Sequence, residues 1–179
     1  IPTAAAPAND HENAGNNGVK WFRSLGATNV GVLPLIDRKS ADSHALVETL
    51  RKSKMIYMLG GSPRHLEQCL RASASWQAML NAYEVGAVLG GSSAGAMVLC
   101  EHYYDPFQKK VHAGLGLLPG TCVLPHYDTF GHRWLDLLIK LLPETIFIGI
   151  DEQTGILNPE LKSQWQVYGK GTVTLHRGN

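Results

Sequence analysis

Short apolar runs alternate along the chain with longer stretches whose apolar residues recur at helical spacing. The runs at 30–35 (VGVLPL), 55–59 (MIYML), 87–89, 122–124 and 146–150 are bounded by glycines and other turn residues, which predicts strands. Between them, 42–53 carries Leu46, Val47 and Leu50 on one stripe and predicts a helix. Segments 64–72, 75–84, 94–101 and 130–142 also read as helices, whereas 105–110 and 114–120 read as loop. Residues 4–18 are rich in Ala, Asn and Gly, which predicts a surface loop leading into a helix that carries Val19, Phe22 and Leu25. The tail alternates in short strands at 155–157, 164–168 and 172–176. Strands interleaved with helices predict an α/β fold with a mostly parallel sheet covered on both faces. The strand-rich tail predicts that one edge turns antiparallel.

With 179 residues, the chain suits one domain with a sizeable core. A formal net charge of +1 removes the electrostatic case for a nucleic-acid partner or an anionic membrane surface. No run approaches the ~18 unbroken apolar residues of a membrane-spanning helix. Cys69, Cys100 and Cys122 are widely spaced and odd in number, which argues against a disulfide framework and against a zinc site. A cytoplasmic setting, no metal and no organic cofactor are the expectations.

The segment Gly91-Ser92-Ser93-Ala94-Gly95-Ala96 fits G-x-S-x-G, with a short apolar strand before it and a helix after it. A sharp strand-to-helix turn of this kind holds the serine in a strained conformation and projects its hydroxyl beyond the sheet. Small residues at 91 and 95 are needed because side chains there would meet across the turn. The N–H of Ala94 is then a candidate oxyanion donor. Gly60-Gly61, closing the 55–59 strand, is a candidate for the second.

A serine nucleophile needs a base. His126 directly follows a predicted strand, where parallel sheets place their sites; His112 and His132 are rivals. A carboxylate should orient the histidine. Glu101, Asp105 and Asp128 are candidates.

Taken in order, these segments resemble the dipeptidase E and cyanophycinase family of serine peptidases. The match runs from Ile1-Pro2-Thr3-Ala4 through Leu25-Gly26-Ala27, Asp37-Arg38, Gly60-Gly61 and the elbow. It continues through Gly114-Leu115-Gly116-Leu117-Leu118-Pro119-Gly120, His126-Tyr127 and Gly149-Ile150-Asp151-Glu152. The resemblance implies a three-layer α/β/α fold of the class I glutamine-amidotransferase-like (flavodoxin-like) type. It implies Ser93 as nucleophile, His126 as base, Asp105 as the orienting acid with Glu101 as alternative, and Gly61 and Ala94 as the oxyanion hole. The implied activity is cleavage of a small peptide or isopeptide through an acyl-enzyme, and a homodimer is left open.

Departures from the family's pattern bear on substrate. Cyanophycinases have Asp-Gln where this chain has Ser62-Pro63, and again where it has Leu124-Pro125. They follow the histidine with several arginines, where this chain has Arg133. Groups that would read a β-linked aspartyl-arginine backbone are thus largely absent. Ser62, Arg64, His132 and Arg133 are the candidate substrate contacts, the cations suiting a substrate carboxylate. Competing readings are an α/β-hydrolase esterase and an amidotransferase-like binding module without catalysis. Against the family, Ile1 falls near the end of a strand, which leads to the expectation that a first strand and helix precede the segment seen here.

Overall fold

The computed structural model describes residues 1–158 and 164–178. By internal contacts the chain divides into two compact units, Ile1–Val98 and Leu99–Asn179.

In the first unit, a 3-10 turn over Thr3–Ala8 leads into helix α1 (His11–Ser24). Helices α2 (Arg38–Ala41) and α3 (His44–Lys52) precede strand β1 (Met55–Met58). Helices α4 (Pro63–Leu70) and α5 (Ala74–Glu84) then lead to strand β2 (Val88–Gly91) and the short helix α6 (Ala94–Met97). Strands β1 and β2 pair in parallel, Met58 opposite Gly91. Three of these helix starts are capped as the sequence dictates. Asp37 and Ser40 form a capping box, and Ser62 and Ser73 accept from the N–H groups of His65 and Trp76. Leu35, Leu50, Met58, Leu66, Leu70 and Met79 are fully buried among the core side chains. Ile1 sits beside β1: its amine donates to the Tyr57 carbonyl at 2.8 Å, and its carbonyl accepts from the Leu59 N–H at 3.0 Å.

The second unit opens with an antiparallel hairpin, β3 (His102–Asp105) and β4 (Lys110–Ala113). Its main sheet has the order β5-β6-β9. Strands β5 (Thr121–Pro125) and β6 (Ile146–Ile150) are parallel, and β9 (Val173–Arg177) closes the edge antiparallel to β6, as the strand-rich tail predicts. A 3-10 turn over Gly131–Trp134 and helix α7 (Leu135–Leu141) connect β5 to β6. Strand β7 (Thr154–Leu157) pairs antiparallel with β8 (Gln166–Gly169). The core here is Tyr104, Cys122, Leu124, Leu138 and Phe147.

Three expectations about local structure are corrected, and a fourth is borne out and refined. The apolar run 30–35 forms no strand; Pro34 removes one N–H from any ladder, and none of the described strands pairs with the run. Helix α1 begins at His11, inside the segment expected to be loop. Its glycines serve close packing: a Cβ on Gly15 would lie 2.8 Å from a Val32 methyl, and one on Gly18 would touch Leu59. The helix expected over 94–101 stops at Met97, because Cys100 is drawn into a bridge with Leu118 and the Glu101 N–H donates to the Leu118 carbonyl. The loop expected at 105–110 is the tip of the β3–β4 hairpin, held by Asp105, which accepts from the N–H groups of Phe107 and Gln108.

Candidate active site

Ser93 sits on a sharp turn between β2 and α6, at φ 49° and ψ −117°. That conformation is costly for any residue with a Cβ and persists only where its surroundings fix it. The fixing groups are backbone. A Cβ on Gly91 would lie 2.5 Å from the Gly95 carbonyl carbon, and one on Gly95 would collide with the Met58 carbonyl oxygen at the end of β1. Ser92 N–H donates to that same Met58 carbonyl at 3.0 Å. The two glycines of G-x-S-x-G are therefore clearances: the turn lies so close to β1 that no side chain fits.

Gly60 approaches the serine directly, since a Cβ there would be 3.2 Å from Ser93 Cβ and 3.6 Å from its Oγ. Gly61 holds φ 135°, and a Cβ on it would collide with the Ala4 carbonyl, so this position also demands glycine. Ser62 N–H donates to the Ala4 carbonyl at 2.7 Å, which pins the loop. Among the described residues, the N–H groups of Gly61 and Ala94 donate to no protein acceptor. A cavity of about 450 Å³ opens beside Gly60 and Ser92, walled by Trp21, Phe22, Tyr57 and Leu59.

In the second unit, His126 directly follows β5 and adopts a left-handed turn at φ 54°. Its carbonyl accepts from the N–H groups of Phe130 and Gly131 at 3.0 and 2.9 Å, and its ring stacks on Phe130 with centroids 4.9 Å apart. His126 Nδ1 lies 2.6 Å from Glu152 Oε1. An ionised carboxylate can only accept, so Nδ1 carries the hydrogen, and in the neutral ring the lone pair is on Nε2. That is the tautomer a general base requires.

The carboxylate on His126 is thus Glu152, not Asp105 or Glu101. Asp105 is buried, and its Oδ1 is taken up by the hairpin tip. Glu101 accepts from the Gly120 N–H at 2.6 Å, clasping the loop before β5. Asp128, the third candidate, accepts from the backbone N–H of Glu152 at 3.0 Å. The signal for Glu152 lies in Gly149-Ile150-Asp151-Glu152. Parallel register sets Pro125 opposite Ile150, so the residues that leave the two strand ends emerge side by side.

The candidate substrate contacts fall differently. The Ser62 hydroxyl caps α4, and Arg64 reaches the buried Glu67 at 3.4 Å, so its charge is partly compensated. Glu67 also pairs with Arg71. His132 and Arg133 are exposed, and His132 Nδ1 donates to the Tyr127 carbonyl at 2.8 Å. Leu124 is fully buried within β5. The rival base His112 stacks on Tyr103 in the β3–β4 hairpin. Burial pushes the Cys69 thiol up to about 11 and raises Cys100 and Cys122 as well, so none is an activated nucleophile. Among the described residues, no group of three His, Cys, Asp or Glu side chains is arranged to hold a metal ion, and no helix is long and apolar enough to cross a membrane.

The family model for peptidase family S51 matches residues 1–162. The cyanophycinase of Geminocystis herdmanii (strain PCC 6308) is 32% identical over 177 residues, which cover 92% of this chain and 64% of that protein. The cyanophycinase of Synechococcus elongatus is 31% identical over 166 residues, covering 86% of this chain and 51% of that one. The chain therefore spans about half to two-thirds of the length of these curated relatives. Among solved structures, a peptidase from an acI-B1 Actinobacterium superposes with a TM-score of 0.80 at 30% identity, covering 100% of this chain and 76% of that one.

Proposed function

The chain belongs to peptidase family S51, and on that premise we propose that it is a serine hydrolase that cleaves a small peptide or isopeptide. Ser93 is the nucleophile, His126 the general base and acid, and Glu152 the carboxylate that orients it. The observation that carries this reading is the 2.6 Å bond from His126 Nδ1 to Glu152, which leaves Nε2 able to accept a proton. The strained Ser93 turn supports it from the other unit.

His126 Nε2 takes the hydroxyl proton as Ser93 Oγ attacks the scissile carbonyl carbon. The oxyanion is held by the N–H groups of Gly61 and Ala94. Collapse breaks the C–N bond, and His126 passes its proton to the leaving amine. Water then attacks the acyl-serine with His126 again as base, which releases the acid and restores Ser93. Glu152 stays ionised throughout and stabilises the imidazolium.

The substrate is a short peptide or isopeptide other than the aspartyl-arginine polymer implied by the relatives' name. Burial of Leu124 in β5 and use of the Ser62 hydroxyl as a cap support this, because the resemblance sets both at positions where the cyanophycinase pattern has Asp-Gln. Absent polar partners cost orders of magnitude in discrimination for a charged substrate.

The test is labelling with a fluorophosphonate probe, followed by a mass-spectrometric scan of dipeptides and isopeptides that includes β-aspartyl-arginine. Ser93 is expected to carry the label and Ser93→Ala none. Equal labelling of the variant refutes the nucleophile. No labelling of the parent chain favours the binding-module reading.

A further inference from the structure

We propose that Tyr127 is a positioning residue: its hydroxyl, tied to His176 on β9, fixes the turn that aims the His126 imidazole at Glu152. The proposal rests on the reading of His126 as the base. His126 holds a left-handed conformation, which a side-chain-bearing residue keeps only where its neighbours impose it. The next residue along the chain is fastened at four points. Tyr127 N–H donates to the Ile150 carbonyl at 3.0 Å, and the Tyr127 carbonyl accepts from His132 Nδ1 at 2.8 Å. The hydroxyl and His176 Nε2 share a hydrogen bond of 2.6 Å. The ring lies on Gly149, where a Cβ would stand 2.6 Å from the ring carbons.

These fastenings cross the whole β5-β6-β9 sheet. Tyr127 leaves β5, its ring crosses Gly149 of β6, and its hydroxyl ends on β9. The strand that delivers His126 and the strand that precedes Glu152 are thus clamped by one side chain. Gly149 belongs to the same segment that ends in Glu152, so its missing side chain is what admits the clamp. Without the hydroxyl bond the ring can slide on Gly149, and the His126 turn can relax toward an unstrained conformation in which Nδ1 no longer faces Glu152.

Three variants test this: Tyr127→Phe, which removes one oxygen and keeps the ring, His176→Ala, and His176→Gln, whose amide can still meet the hydroxyl. The direct readout is the low-field proton resonance of His126 Nδ1–H bonded to Glu152, recorded on the full chain. The rate constant for Ser93 acylation by the fluorophosphonate and the melting temperature accompany it. Tyr127→Phe and His176→Ala are expected to broaden or abolish the resonance and to slow acylation about tenfold, while His176→Gln retains both. A resonance unchanged in Tyr127→Phe overturns the proposal. So does a His176→Gln variant that loses resonance and rate as fully as His176→Ala, since the histidine would then matter only for packing. A resonance lost in Tyr127→Phe, in a chain whose Ser93 never acylates, upholds the positioning role and overturns the hydrolase reading instead.

Discussion

Replacing Glu152 by glutamine removes the charge that faces His126 and leaves an amide oxygen able to accept from Nδ1–H. The bond is short, 2.6 Å, and its acceptor is charged. Hydrogen bonds of this class contribute roughly 1.5–3 kcal/mol. The Glu152 side chain is 47% exposed, so solvent screening holds the value to the lower part of that range. A loss of about 1.5–2 kcal/mol at about 1.4 kcal/mol per decade corresponds to acylation of Ser93 slowed roughly 10- to 30-fold. The assay is the second-order rate constant for fluorophosphonate labelling, followed by intact-protein mass spectrometry, which needs no knowledge of the natural substrate. Asp105→Asn is the internal comparison. It preserves an acceptor for the hairpin-tip N–H groups and is expected to leave the rate within about twofold. If Asp105→Asn slowed labelling more than Glu152→Gln at equal folded fraction, the assignment of the acid would be wrong.

A further outcome follows from a residue held in an unfavourable state. Ser93→Gly relieves a backbone conformation that glycine adopts freely, and it should raise stability by about 1–2 kcal/mol in urea unfolding while abolishing labelling; an unchanged midpoint would mean the turn stores no strain.

Much of the architecture is legible in the sequence because it is written in local pattern. The runs at 55–59, 122–124 and 146–150 become β1, β5 and β6, and the glycine-bounded serine becomes a strand-to-helix turn. What is not legible is set by partners distant along the chain. The run at 30–35 has the composition of a strand, but a strand exists only with a ladder beside it. The Asn- and Gly-rich stretch reads as loop until Val32 and Leu59 are seen packed against Gly15 and Gly18. Glu152 lies 26 residues beyond His126 and becomes its partner only through the pairing of β5 with β6. The resemblance places the acid between Ser93 and His126, where Asp105 and Glu101 stand, and both spend their carboxylates on loops instead.

The contact between Gly95 and the Met58 carbonyl has a consequence for anyone who screens variants of this protein. The serine turn takes its position from Met58, a buried residue of β1, and not from the solvent-facing residues around it. A library that randomises the core near Met58 would return inactive clones whose lesions look like damage to the active site, although no residue there had changed. Sorting clones first by Ser93 labelling and then by thermal midpoint would separate a displaced turn from a collapsed fold. Core positions under β1 belong in any map of activity for this chain.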